Sequence, residues 1–474
     1  MTKNLELGTW NFRRATADVR PCPVCGGVER RVLHRQRFLE GPLGAGYDVV
    51  VCRHCGAGFA DGIPAQEELD RYYAEQSKYT YHHAGGAESP YDLKRFEAIV
   101  EQVTPHLPSR DARILDIGCA TGGLLSAFKQ RGFANLLGAD PSPVCAEAAR
   151  RLHGVEVRTA TLAQLAGWQE RFDLVLMVGV LEHLREVQPA VRAVVDRLNP
   201  GGLFYGAVPD VEGLAACRNA PYQQFSVEHV NFFSEQSLGR LLAVCGLTPR
   251  QTWRQMVEWR EDITEPVLSG VYTVPPSAEA PSLSPSLPSG KVPGSILLRR
   301  GFGGQEFQVP RKRSVTLPAA GLRGSEDKSP SPSLSLSPSL SLPPLESGLP
   351  PPPDQATEPA LQRYLAKCGQ EDLKLATAIE QLVSSREPVL VWGAGTLTRR
   401  LLVSTRLAEA NIVGFVDSNP GIQGHRLAGR DILSPAQIVG RRETIVVCSK
   451  AFEREIIETI RNQLRLPNQV ITLA

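Results

Sequence analysis

Ile114-Leu115-Asp116-Ile117-Gly118-Cys119-Ala120-Thr121-Gly122-Gly123 decides how the middle of this 474-residue chain folds. An apolar strand runs into a glycine-rich loop, and the loop opens a helix from about Leu124 to Arg131. Glycine has no Cβ, so such a loop lets bare backbone approach a ligand. Asp140 closes a second strand-like run, Leu136-Leu137-Gly138-Ala139, and an acid there accepts hydrogen bonds from ribose hydroxyls. Together these features read as a nucleoside-binding site. A dinucleotide loop wants G-x-G-x-x-G, with pyrophosphate at the helix N-terminus. Here Ala120 replaces the middle glycine, and Asp116 precedes Gly118 by two residues. That carboxylate repels an anion and attracts a cationic amino group.

These residues resemble motif I of the class I S-adenosylmethionine (SAM)-dependent methyltransferases. Further landmarks of that fold follow in order. Ala139-Asp140-Pro141-Ser142 resembles the ribose-binding strand end, and Ala160-Thr161-Leu162 falls where adenine is flanked. Phe172 to Met177 reads as the fourth strand, leading to Leu181-Glu182-His183-Leu184. Leu198-Asn199-Pro200-Gly201-Gly202-Leu203 reads as the turn into the fifth. The resemblance, over residues 110–300, implies an α/β fold with a class I methyltransferase Rossmann-like seven-stranded sheet. It implies S-adenosyl-L-methionine as cofactor, held by Asp116, Gly118, Cys119, Ala120, Gly122, Asp140, Pro141, Thr161 and Leu162. An NAD-binding Rossmann-like domain is the competing reading of the loop, and His183 reads equally as a shaper of the methyl site and as a direct participant.

Four of the ten cysteines are grouped as Cys22-Pro23-Val24-Cys25 and Cys52-Arg53-His54-Cys55. Each C-x-x-C pair can place two thiolates on one tetrahedral ion, and Gly26 and Gly56 follow as knuckle turns require. Strand-like segments at Arg31–Leu39 and Tyr47–Val51 separate the pairs, which indicates a zinc ribbon. Four thiolates close the coordination sphere, so the Zn2+ is expected to be structural. His34 and His54 could substitute as ligands, although His54, inside a knuckle, reads as exposed or as lying just outside the ligand set. The other six cysteines lack such partners and read as small buried residues.

Fifty-two basic and 50 acidic residues leave a net charge of +2, with the signs interleaved. No basic stripe marks a nucleic-acid surface. No apolar run suffices for a membrane span, and residues 1–20 lack the apolar core of a secretory signal. The expected setting is cytoplasmic, without nucleic-acid or membrane partners.

The chain divides into an N-terminal arm (1–20), a zinc-binding ribbon (21–85) and a methyltransferase unit (86–302) containing a Pro/Ser-rich loop (274–291). A Pro/Ser-rich linker (303–357) follows, with too little apolar surface to offset its ordering entropy and therefore disordered. Residues 358–474 form a second Rossmann-like unit. Within the methyltransferase unit a sixth strand is expected at Leu247–Trp253 and a seventh at Ser295–Arg300, while residues 211–234 interrupt the strand–helix rhythm. In the last unit Val389-Leu390-Val391-Trp392-Gly393-Ala394-Gly395 is a strand entering a second glycine turn, and Val416-Asp417 ends the next strand. Thr398 stands in place of the third fingerprint glycine, so this turn reads as serving substrate or packing.

Ribbon, methyltransferase unit and C-terminal Rossmann-like unit, in this order, resemble the C-methyltransferases of nucleotide-linked 4-keto deoxysugars. Val416-Asp417-Ser418-Asn419-Pro420, Gly424 and Ser434-Pro435 also resemble theirs. The resemblance implies a small-molecule substrate, a nucleotide sugar, held partly by the C-terminal unit. Ser226-Val227-Glu228-His229 resembles the family's catalytic Tyr-x-Glu-His segment, which makes His229 the base and Glu228 its polar partner. The family tyrosine falls at Ser226, and Tyr79 or Tyr81 is the candidate substitute for its phenol. In an extended segment Glu228 and His229 point to opposite faces. An O- or N-methyltransferase of another small molecule, and a non-catalytic SAM- or sugar-nucleotide-binding protein, are the alternative functions.

Overall fold

The computed structural model describes residues 19–41, 43–75, 88–275 and 352–473. Tyr79, Tyr81, the strand expected at 295–300, the loop from 276 onward, the linker to 351 and most of the N-terminal arm lie outside the described residues.

The chain begins with three strands, β1 (Arg30–Gly41), β2 (Gly44–Cys52) and β3 (Gly58–Asp61), followed by helix α1 (Gln66–Glu75). Helix α2 (Pro90–Val103) starts at a capping box in which Ser89 and Asp92 satisfy each other's backbone N–H groups. The alternating part runs β4 (Ile114–Ile117), α3 (Gly123–Gln130), β5 (Leu136–Asp140), α4 (Pro143–His153), β6 (Glu156–Thr159), α5 (Leu162–Leu165), β7 (Phe172–Val178), α6 (Val187–Val195) and β8 (Leu198–Pro209). After it come β9 (Asn231–Phe232), α7 (Glu235–Val244), and the hairpin of β10 (Thr248–Arg260) and β11 (Ile263–Thr273).

These strands form a seven-stranded sheet in the order β10-β11-β8-β7-β4-β5-β6, the expected α/β Rossmann-like arrangement. The five strands β4 to β8 run parallel, and β11 pairs antiparallel with both β8 and β10. Both faces of the central strands are covered, which explains their unbroken apolar sequences. Leu115, Ile117, Val175 and Met177 pack toward α6 and α7, while Ile114, Leu174 and Leu176 pack toward α2 and α3.

One strand of this sheet is not anticipated by the sequence: Ile263–Thr273 lies between β8 and β10, while Ser295–Arg300 falls outside the described residues. Pro266 and Glu265 obscure it in the sequence, because proline is uncommon in central strands. The proline sits at the end of the pairing with β8, where its carbonyl accepts from Asp210 N at 2.9 Å.

The ribbon strands form a second sheet, β1-β2-β3-β9, whose last strand comes from the methyltransferase insertion. Arg20 stitches this junction. Its guanidinium donates to Ala60 O (3.0 Å), Val230 O (2.9 Å), Arg185 O (2.8 Å) and Asn231 Oδ1 (2.8 Å). Burial lowers its pKa to about 9.

After the linker come α8 (Thr357–Ser385), β12 (Val389–Trp392), α9 (Thr396–Ser404), β13 (Ile412–Val416), β14 (Arg426–Leu427), β15 (Arg430–Leu433), β16 (Thr444–Val447), α10 (Glu453–Glu458) and β17 (Val470–Thr472). Their sheet order is β14-β15-β13-β12-β16-β17. The linker assigned from composition ends too late, because residues 352–357 hold defined positions. Asp354 is only 7% exposed. It accepts from Ser234 Oγ (2.7 Å), Thr357 Oγ1 (2.5 Å), Ala356 N (2.8 Å) and Thr357 N (3.1 Å), and its own N–H donates to Cys55 O (2.8 Å). Helix α8 covers the outer face of the ribbon sheet through Ala360, Leu361, Tyr364 and Cys368. Among the described residues no helix is long and apolar enough to cross a membrane.

Candidate active site

The loop after β4 bends at residues with left-handed backbone: Gly118 (φ 72°), Ala120 (φ 46°) and Gly122 (φ 82°). A Cβ at Gly118 would lie 2.6 Å from Val180 Cγ2, so only glycine fits. Gly122 answers a different demand, because a Cβ there would meet Ala149 and Val155 behind the loop. Asp140 is pinned by the backbone: Oδ2 accepts from Ala120 N at 3.0 Å and Oδ1 from Ser142 N at 2.9 Å. Each oxygen keeps a second lone pair for a hydroxyl. Burial raises its carboxyl to about 6 against the help of those two N–H groups.

Gly118, Asp140, Pro141, Thr161 and Leu162 line one open cleft, together with Ile117, Ala160, Trp168 and Val180. Of the remaining residues assigned to the cofactor from sequence, Asp116, Cys119 and Gly122 are buried and Ala120 is half-buried at the loop's bend. Asp116 is 3% exposed. Burial, with the charge on Asp140 second, pushes its carboxyl well above the usual range. The Cys119 thiol packs toward Gly138, where a Cβ would stand 2.5 Å from its sulfur. Glu88, unremarked in the sequence, braces the loop by meeting His153 Nε2 at 2.9 Å and accepting from Thr121 Oγ1 at 3.4 Å. Burial works against its charge, yet the His153 bond carries its pKa below the ordinary value.

The facing wall comes from three distant parts of the chain. Helix α1 contributes Gln66, Asp70 and Tyr73, residues 179–184 contribute Gly179, His183 and Leu184, and the insertion contributes Glu228. Gln66 fixes the helix in place, accepting from Arg185 N (2.9 Å) and Glu186 N (3.1 Å) and donating to Asp70 (2.8 Å). His183 Nδ1 lies 3.0 Å from Glu228 O and 3.0 Å from Tyr73 Oη. A carbonyl only accepts, whereas the Tyr73 hydroxyl can donate or accept, so the two contacts orient the ring without choosing its tautomer, and Nε2 faces the other way. Nε2 lies 3.8 Å from Glu182 Oε1, and the His183 and His229 rings meet edge to face with centroids 4.9 Å apart.

Residues 226–229 bend rather than extend. Ser226 Oγ accepts from Glu228 N and His229 N, both at 3.3 Å. Through this bend the Glu228 carbonyl and the His229 ring both reach His183. Ser226 caps this bend and its carbonyl accepts from Tyr47 Oη at 2.8 Å. The phenols beside the histidines are Tyr72, which donates to Glu228 Oε1 at 2.8 Å, and Tyr73. No motif in the sequence singles them out.

The four knuckle cysteines converge, with every Sγ within 4.8 Å of the others. Cys22 and Cys55 are 3.5 Å apart and Cys25 and Cys52 3.6 Å. A tetrahedral Zn–S4 site with bonds of about 2.3 Å has edges of about 3.8 Å, so the donor set fits zinc. The two knuckles share one turn: Gly26 N donates to Cys22 O (2.8 Å) and Gly56 N to Cys52 O (2.9 Å), each glycine being left-handed.

The second glycine turn repeats the first. Asp417 accepts from Ala394 N through Oδ2 (2.8 Å) and from Asn419 N through Oδ1 (2.8 Å), as Asp140 does in its loop. Thr398 turns its hydroxyl back to Gly393 O. Arg399, lowered by burial, donates from Nε to Ala394 O at 3.2 Å and feels the nearby Tyr72 and Asp417. This unit therefore approaches Tyr72 on helix α1, beside the facing wall.

Residues 91–252 match a family described as a methyltransferase domain, and residues 385–472 match one described as C2185-like, N-terminal. The first match assigns residues 91–252, which carry the cleft's Asp140 side, to a methyltransferase domain. The ubiquinone biosynthesis O-methyltransferase of Azorhizobium caulinodans is 42% identical over 102 residues, covering 20% of this chain and 40% of that protein. Its counterpart in Cereibacter sphaeroides is 37% identical over 124 residues, covering 23% and 49%. The chain spans less than half the length of the curated relatives it matches. These relatives are O-methyltransferases, not the deoxysugar C-methyltransferases to which the motifs pointed. Magnesium protoporphyrin IX methyltransferase from Synechocystis PCC 6803 is 14% identical, covering 44% of this chain and 98% of that one, with a TM-score of 0.34.

Proposed function

We propose that this protein transfers the methyl group of SAM to a small-molecule acceptor held between the Asp140 cleft and helix α1, with His229 removing the acceptor's proton. The observation that carries the reading is the pairing, within one site, of a backbone-pinned Asp140 and the His183–His229 edge-to-face pair on the opposite wall. Bound SAM supplies an electrophilic methyl group. Asp140 engages the ribose hydroxyls, and Thr161, Leu162 and Trp168 flank the base. His229 accepts a proton from the acceptor, a role suited to an imidazole with an unperturbed pKa of roughly 6.5. Glu228, oriented by Tyr72, binds the acceptor's polar groups.

The acceptor favoured by the chain's architecture is a nucleotide-linked keto sugar. A ketone beside the target carbon lets the C–H electron pair become an enolate when His229 takes the proton. That carbon then forms the bond to the methyl group as the sulfonium leaves as a thioether. The second glycine turn, with Asp417 and Arg399, approaches Tyr72 beside the same wall and serves to hold the nucleotide. Zinc on Cys22, Cys25, Cys52 and Cys55 fixes the ribbon that carries α1. The second reading is O-methylation of a hydroxyl, favoured by the O-methyltransferase relatives and by Ser226, which leaves the family's phenol position without a phenol.

The test offers purified protein SAM and nucleotide-linked 4-keto sugars in deuterated water. Exchange of the proton beside the ketone, then a carbon-bound methyl, is expected. His229→Ala should abolish exchange while binding S-adenosylhomocysteine (SAH) normally; retained exchange removes His229 from the role of base. Methyl transfer to oxygen establishes the second reading, and a protein that binds neither SAM nor SAH is no methyltransferase.

A further inference from the structure

We propose that Glu182, His183 and His229 form a binding site for one divalent first-row transition-metal ion, separate from the four-cysteine cluster, and that filling it silences methyl transfer. The silencing half rests on the reading of His229 as base; the binding half does not. Each of the three residues offers one ligand atom, and these atoms all lie within 4.8 Å of one another. Metal–nitrogen and metal–oxygen bonds of about 2.0–2.2 Å bring neighbouring donors roughly 3–4 Å apart, so a small closing movement suffices.

Three features prepare the site. His183 Nδ1 is held between Glu228 O and Tyr73 Oη, each at 3.0 Å, which orients the ring with Nε2 toward Glu182 Oε1, 3.8 Å away. Metal-binding histidines are commonly held in this way. Glu182 is 3% exposed, so its carboxylate supplies negative charge where water screens it little. The backbone on both sides is also clamped. Asn231 Nδ2 donates to Leu181 O (2.8 Å) and Leu184 O (2.7 Å), and Val230 N donates to Glu182 O (2.7 Å). One tie thus joins the segment carrying Glu182 and His183 to the segment carrying His229, and the ligands come together without a large loss of backbone entropy.

Two imidazoles and one carboxylate favour cobalt, nickel, copper or zinc over magnesium or calcium. The lone pair of His229 cannot hold a metal and accept a proton at once. Loading the site therefore stops proton removal, and a chelator restores it.

The experiment titrates full-length protein, its cysteine cluster filled with zinc, with Co2+ by visible spectroscopy and calorimetry. One further ion per chain is expected, with ligand-field bands of nitrogen and oxygen donors and no thiolate charge-transfer bands. Glu182→Gln and His183→Gln should each weaken Co2+ binding at least about tenfold, while SAH binding and the melting temperature show that the variants fold. Unchanged affinity in both folded variants, or thiolate bands alone, overturns the site. In parallel, acceptor proton exchange should fall in proportion to Co2+ occupancy and recover with chelator. Full exchange by loaded protein overturns the silencing. Absence of exchange from metal-free protein instead counts against His229 as base, and metal binding is then decided by the Co2+ spectra alone.

Discussion

Replacing Asp140 by asparagine keeps the shape of the side chain but breaks its bonding. Both carboxylate oxygens accept backbone N–H groups, Oδ2 from Ala120 and Oδ1 from Ser142. An amide has one acceptor and one donor at those positions, so its NH2 must face one of the two N–H groups or swing into the cleft. A hydrogen bond to a charged group contributes about 1.5–3 kcal/mol, and about 1.4 kcal/mol is a factor of ten in affinity. Losing one such bond to the ligand predicts SAH binding about ten- to a hundredfold weaker in Asp140→Asn, measured by calorimetry at pH 8.

The pH dependence gives an independent check. Burial holds the Asp140 carboxyl at about 6 in the free protein, and the proposed ribose contact uses the carboxylate. One pH unit below that value about nine-tenths of the protein is protonated, so wild-type affinity at pH 5 should be about tenfold below that at pH 8. Stability runs the other way. The folded value lies above the unfolded one, so the folded state binds the extra proton. Its contribution is complete below the unfolded value and is lost as the pH rises through about 6. Free wild type, measured against Asp140→Asn, should gain stability between pH 6 and pH 4 while losing affinity. Undiminished SAH binding by the variant at pH 8, or wild-type affinity flat from pH 8 to pH 5, would refute the assignment of Asp140 to the ribose.

Gly118→Ala must hold a left-handed φ of 72° and push Val180 Cγ2 from 2.6 Å; the strain is on the order of 1–2 kcal/mol before the clash. SAH affinity should fall at least about tenfold, and adding Val180→Ala should recover only part of it, as read by calorimetry. Asp354→Ala leaves the hydroxyls of Ser234 and Thr357 and two backbone N–H groups without their acceptor. Denaturant unfolding should show a loss of about 2–4 kcal/mol with SAH affinity unchanged, and equal stability would show that the hub contributes nothing. If the four cysteines hold zinc as proposed, chelation or Cys52→Ser should expose residues 22–75 to rapid proteolysis and weaken acceptor binding more than SAH binding, because helix α1 lines the wall proposed to hold the acceptor. Equal proteolysis of stripped and filled protein would separate the ribbon from any metal.

What the sequence displays clearly is what the backbone does within a few dozen residues. The strand, left-handed loop and terminal acid recur at Ile114–Asp140 and Val389–Asp417 because a glycine turn and a carboxylate pinned by its own loop form one local device. The cysteine knuckles are local in the same sense, each a single turn closed by a glycine. The acceptor wall is not. It needs β9 to leave the methyltransferase insertion and pair with β3, through Gly58 opposite Phe232 and Phe59 opposite Asn231. No periodicity in either segment announces a partner so far along the chain. The same long-range closure hides Tyr72 and Tyr73 at the end of α1, and Asp354 within a proline-rich stretch whose composition alone argues against order. It also turns Ser226 from a missing phenol into the cap of the bend that brings Glu228 and His229 to His183. The cofactor is therefore named by short motifs and the acceptor by contacts that those motifs do not contain. Asn231 shows the consequence most directly. One amide, two residues from His229, ties down both ends of the turn carrying Glu182 and His183, so the chemistry at the methyl site depends on a pairing made by the ribbon sheet.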